Sequence, residues 1–144
     1  MSQAPSARDI VALLFATSHQ LCLRSDRLLG ATLGLSEGRA RLLVAVSEFE
    51  PARMGLLARQ LGVTARSVTG MVDALERDGL LVRDPDPEDR RATLLRLTSH
   101  GRALIDRLLD AQHRSADEML GALSSQDKHE LFRLLTEVHK RADG

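Results

Sequence analysis

The 144-residue sequence predicts a mainly α fold carrying one small two-stranded β-hairpin. Three observations lead there. Leucines and other apolar residues recur at three-, four- and seven-residue steps through most of the chain, the spacing of one helix face. Serines, threonines and glycines punctuate those runs where caps belong. Only between about residues 80 and 97 does the pattern shorten to two strand-like segments around a proline-bounded loop.

The first helix spans about Ala7 to Thr32, with Ser6 and Asp9 spaced for a capping box and Ile10, Leu13, Leu14, Leu21 and Leu28 on its apolar stripe. Gly34 stops it. Ser36 is suited to cap a second helix carrying Leu42, Leu43, Val46 and Phe49, bounded by Pro51. A short helix from Met54 to Leu61, a Gly62-Val63 turn and a longer helix from Thr64 to Asp78 follow. In the longer helix Ala65, Val68, Met71, Val72 and Leu75 make the packing stripe, which leaves Arg66, Ser67, Thr69, Gly70 and Asp73 on other faces. Gly79 sits where a left-handed cap is favoured. Leu80 to Arg83 reads as a strand, Asp84 to Asp89 as a loop, and Ala92 to Leu97 as a returning strand with Thr93, Leu95 and Leu97 on one face. Thr98 or Ser99 caps a long helix to about Leu120, striped by Leu104, Leu108, Ala111, Ser115 and Met119. A last helix after Ser124 and Ser125 carries Leu131, Leu134, Leu135 and Val138.

Composition bounds the function. A chain that is 43% hydrophobic and 28% charged is globular rather than disordered, and at this length it fits a single domain over residues 1–144. Phe15, Phe49 and Phe132 are the only aromatic residues, too few for a base-stacking platform. The single cysteine, Cys22, reads as a buried structural thiol. No Cys/His spacing suggests a metal site, and no cofactor is expected. Neither a nucleophile–base–orienter set nor a phosphate loop is present, so an enzyme is not expected. Without a signal-like N-terminus or an apolar run near ~20 residues, the expected location is the cytoplasm.

Net charge is zero, yet it is unevenly spread: Arg53 to Val72 holds three arginines and no acid, and Arg90 to Ile105 holds four and no acid. Two local basic surfaces suit a nucleic acid better than the total suggests.

The run Leu75-Glu76-Arg77-Asp78-Gly79-Leu80-Leu81-Val82-Arg83, followed by Asp86-Pro87-Glu88-Asp89-Arg90-Arg91 and Leu95-Arg96-Leu97-Thr98-Ser99-His100-Gly101, resembles the MarR family of regulators, as does the preceding Leu57-Ala58, Leu61-Gly62-Val63 and Val68 spacing. The resemblance covers nearly all of the chain. It implies a winged helix-turn-helix lobe at about 36–97, flanked by dimerisation helices at about 7–32 and 99–141. It also implies a homodimer joined around Ile10 to Leu28, Leu104 to Met119 and Leu131 to Val138. The function implied is a repressor that binds a pseudo-palindromic double-stranded DNA operator and is released by a small-molecule effector; the alternative is a winged-helix module that binds proteins instead.

Read alone, Arg66, Ser67 and Thr69 are solvated positions. The resemblance makes them, with Gly70, the DNA-binding side of the recognition helix, where short polar groups and arginine suit the major groove. Gly70 departs from the larger, basic residue expected there. At the hairpin tip the resemblance pairs Asp89 with Arg91, which would enter the minor groove, and leaves Arg90 near phosphate. Candidates to line an effector pocket are His19, Cys22, Arg24, Arg39 and His113.

Overall fold

The computed structural model describes residues 3–144. In order these form α1 (Ala7–Leu33), α2 (Glu37–Phe49), β1 (Ala52–Arg53), α3 (Met54–Leu61), α4 (Ala65–Arg77), β2 (Leu81–Pro85), β3 (Thr93–Leu97), α5 (Ser99–Leu120) and α6 (Ser125–Ala142). They fall into two compact units, with the boundary inside α5 after Leu109.

The caps fall at the expected residues. The Ser6 hydroxyl oxygen accepts from the Asp9 N–H while the Asp9 carboxylate accepts from the Ser6 N–H, and Gly34 ends α1 at φ 67°. The hydroxyl oxygens of Ser36, Thr64 and Ser124 accept from the N–H groups of Arg39, Ser67 and Asp127 and cap α2, α4 and α6. At α5 it is Thr98 that serves: its hydroxyl accepts from the Gly101 N–H at 3.0 Å and donates to the Gly79 carbonyl at 2.6 Å.

The hairpin is present, but a third strand joins it. The antiparallel order is β1-β3-β2, with Ala52 opposite Leu95 and Leu81 opposite Leu97. Two residues are too short to show alternation, so β1 exists only through this non-local pairing. The segment from Asp84, expected as loop, continues β2 to Pro85, which pairs with Thr93. Proline is tolerated there because β2 is an edge strand. In β3, Leu95 and Leu97 are buried and Thr93 half-buried as expected, but Leu94 is buried too, as befits the central strand.

The first unit holds the core. Leu29, Leu42, Leu43, Leu57, Leu75, Leu81, Leu95 and Leu108 are completely buried, joined by Val46, Val68 and Val72. On α4 the stripe shifts slightly: Ala65 is exposed, Met71 half-buried and Ala74 buried. Gly101 lets α5 start against the sheet, because a Cβ there would lie 2.0 Å from the Leu80 carbonyl oxygen.

The apolar stripe of α1 is largely uncovered. Ile10, Leu13 and Leu21 are exposed, Leu14 and Leu28 half-buried, and Leu29 is the helix's one fully buried residue. In the second unit α6 buries no side chain, and Leu131, Phe132, Leu134, Leu135 and Val138 are all exposed. No helix among the described residues is long and apolar enough to cross a membrane.

Candidate nucleic-acid interface

The helix-turn-helix is closed by backbone bonds that only a glycine permits easily. Gly62 takes φ 64°, its N–H donates to the Arg59 carbonyl, and the Val63 N–H donates to the Ala58 carbonyl at 3.1 Å. The chain then turns directly into Thr64, whose hydroxyl oxygen accepts from the Ser67 N–H at 3.1 Å. With Val68, Val72 and Leu75 locked in the core, Arg66, Ser67, Thr69 and Gly70 are all exposed on the rest of α4. The Thr69 hydroxyl donates to the Ala65 carbonyl at 3.0 Å, so towards a ligand it offers its oxygen lone pairs and its methyl. Gly70 faces open space, with no atom near the position a Cβ would take.

The wing loop, residues 86–92, is organised by a carboxylate that sequence reasoning passed over. Asp86 is almost wholly buried; one oxygen accepts from the Glu88 N–H at 2.9 Å and the other lies 2.8 Å from the Arg53 guanidinium on β1. Backbone bonds from Asp86 to Ala92 and from Ala92 to Asp89 close the loop. Asp89 does hold Arg91, though not as an ion pair: its carboxylate accepts the Arg91 backbone N–H at 2.9 Å. A carboxylate two residues upstream reaches the backbone more easily than the far end of an arginine. The Arg91 guanidinium is therefore left for an external anion. Buried Asp86 was legible only as the first residue of the Asp-x-x-Asp motif, and its partner Arg53 is 33 positions away in the chain, as their numbers show.

The basic surface is narrower than the sequence suggests. Arg96 is paired with Asp84 at 2.9 Å, and Arg102 meets both oxygens of Glu50 at 2.9 Å. Arg53 is held by Asp86. Among the described residues Arg59, Arg66, Arg90 and Arg91 form no ion pair and stand exposed. Two of these, Arg59 and Arg91, line a groove of about 460 Å³ together with Arg53 and Thr69, so α4, α3 and the wing share one concave cationic wall. Arg53 and Arg59 were not among the expected contacts; the acid-free stretch from Arg53 to Val72 was the available signal.

Two carboxyl environments shape this unit. Burial alone would raise Glu50, but hydrogen bonds from Arg102 and the Leu97 N–H, with the charges of Arg102 and Arg96, bring it below its ordinary value. Burial raises Glu37, opposed by Arg41 and reinforced by Asp26.

Of the five effector-pocket candidates, four fall in the first unit and one in the second. His19, Cys22 and Arg24 lie exposed along α1, Arg39 is half-buried near the start of α2, and His113 is exposed in the second unit. None of them lines the groove described above. Cys22, expected to be buried, is exposed because nothing in the first unit covers that part of α1.

Proteins similar to this chain in sequence and fold are regulators. The MarR family model matches residues 35–93, from the start of α2 to the wing. The transcriptional repressor YetL of Bacillus subtilis is 28% identical over 110 residues, 75% of this chain and 66% of YetL, so the match stops just short of two thirds of that relative's length. The crystal structure of the transcriptional regulator BldR from Sulfolobus solfataricus superposes with a TM-score of 0.81 at 28% identity, covering 95% of this chain and 99% of that one. That of the S. aureus MepR–DNA complex does so at 0.81 with 20% identity over 91% and 96% of the two chains, a likeness of fold. YetL and BldR are named as regulators of transcription, not as enzymes. The winged helix-turn-helix segment, residues 35–93, thus carries the match to the MarR family, and the chain around it is similar in sequence and fold to regulators of transcription.

Proposed function

We propose that the protein binds double-stranded DNA as a homodimer and represses transcription from a pseudo-palindromic operator, reading the major groove with α4 and an adjacent minor groove with the wing. The observation that carries this reading is the shared cationic wall: Thr69 of α4 and Arg91 of the wing line one groove with Arg53 and Arg59. A duplex is a regular polyanion, and a surface that presents arginines beside short polar groups on a helix's leading end meets both its phosphates and its base edges. Ser67 and Arg66 are the base-reading candidates, Arg90 a phosphate contact, and Asp89 the residue that orients Arg91. Gly70 offers a close backbone approach and no side-chain contact.

One lobe touches too few base pairs for selectivity, so two are needed, about 34 Å apart on successive turns. The exposed apolar residues of α1 and α6 supply the surface for pairing, since faces of this kind are unstable in water unless covered. YetL is named a repressor, which supports the same sign of regulation here. Release by a small effector would require unequal affinity for the DNA-competent and incompetent conformations, and His19, Cys22, Arg24, Arg39 and His113 are the residues through which we expect it to act.

The test is genomic DNA selection with purified protein, followed by salt-dependent gel shifts on the recovered fragments. Arg91→Ala is expected to weaken binding by about 1–3 kcal/mol while leaving the fold intact. Failure to enrich any fragment, or full affinity in that variant at physiological salt, refutes the reading.

A further inference from the structure

The DNA-facing side of α4 contains a liability. Asp73 follows Thr69 by four positions and Gly70 by three, and Glu76 follows Asp73 by three, spacings that put all of them on neighbouring strips of one helix face. Both carboxylates are solvent-accessible, at 53% and 40% exposure. Two negative charges in line with a DNA-reading surface repel phosphates.

Arg83 on β2, at the root of the wing, meets both. Its guanidinium lies 2.5 Å from Asp73 Oδ1 and 2.8 Å from Glu76 Oε1, and its backbone N–H donates to Glu76 Oε2 at 3.2 Å. The arginine itself is only 28% exposed, so it is spent on these acids rather than presented outward. As a tether the arrangement contributes little, because solvent screens exposed ion pairs. As a neutraliser it acts where the field of a polyanion is strongest.

We infer that Arg83 is a positioning residue of the interface, acting through Asp73 and Glu76: it masks their charge so that α4 can approach a duplex. This rests on the DNA-binding reading above. Because phosphates are the same in every sequence, the mask works equally on specific and unrelated DNA, unlike a base-reading contact.

The experiment measures binding of the full-length protein to two labelled duplexes, one recovered by genomic selection and one of random sequence, across a salt series. Arg83→Gln is expected to weaken both by a similar factor, about tenfold at physiological salt and more at low salt, with an unfolding midpoint near that of the wild type. Adding Asp73→Asn and Glu76→Gln to that variant restores affinity, and the two substitutions alone bind at least as tightly as the wild type. Unchanged affinity in Arg83→Gln overturns the inference. So does a loss that removing the acids fails to repair, which would make Arg83 a direct contact or a structural tether. If the wild type binds neither duplex, the DNA-binding reading fails and takes the mask with it; if the wild type binds and only the rescue fails, that reading stands.

Discussion

The winged-helix lobe and the two terminal helices spend the same kind of residue in opposite ways. In the lobe, Leu42, Leu43, Leu57, Leu75, Leu81 and Leu95 are wholly buried within one chain. On α1 and α6, Ile10, Leu13, Leu21, Leu131, Leu134 and Leu135 remain in solvent. An apolar residue at helical spacing therefore marks a face that must be covered, without saying whether the cover comes from the same chain. Lobe stability should be a property of the chain, and that of the terminal helices a property of concentration.

The widest gap between the two regions should open on truncating one leucine in each. Leu43→Ala is expected to cost about 2–5 kcal/mol by leaving a cavity in a closed core, read as a fall in unfolding free energy at every protein concentration. Leu135→Ala should instead raise the dissociation constant of the proposed dimer, measured by sedimentation, with little effect on the chain's own unfolding; an equal loss of unfolding free energy would erase the distinction.

Gly101→Ala probes the lobe from the other direction, by adding volume. Its Cβ would press on the Leu80 carbonyl at 2.0 Å, backbone that cannot swing aside. A loss of about 1–3 kcal/mol is expected, and a neutral result in calorimetry would mean that α5 can shift without cost.

A smaller effect comes from pH. Glu50 has its folded-state pKa lowered, so the stability it contributes is fully present above its ordinary value of 4.5 and is lost as pH falls through the lower, folded-state value. Glu37 is shifted the opposite way: it weighs against the fold when ionised, and that burden lifts as pH drops. Acid unfolding followed by circular dichroism should therefore show a shallower decline for Glu50→Gln than for wild type, and a steeper one for Glu37→Gln.

The smallest expected change is a gain. Gly70 lies inside α4 with open space around it, so Gly70→Ala should raise stability by about 0.5–1 kcal/mol, seen as a higher melting temperature. A fall would mean that the glycine answers a backbone requirement of the free protein.

Much of this was legible in the residues. Every helix start except that of α3, which follows Arg53 with no side-chain cap, rests on a contact within three positions of its own serine or threonine, as at Ser6, Ser36, Thr64 and Ser124, and such contacts are readable because they are local. Gly34, Gly62 and Gly79 marked their turns for the same reason, all three at positive φ. The exposed character of Arg66, Ser67, Thr69 and Gly70 followed from where the packing stripe of α4 had to lie.

What lay beyond the sequence was every feature made by residues distant along it. The strand at Ala52–Arg53 is defined by Leu94 and Leu95 across the sheet, and Arg53 finds Asp86 only because that strand lies there. Likewise Glu50 collects Leu97 and Arg102, and Arg83 collects Asp73 and Glu76. Helix periods, caps and turns are set by interactions within a few residues, so the chain alone determined them. Which arginines are neutralised and which stay unpaired depends on through-space partners, and only the folded chain brings those within reach.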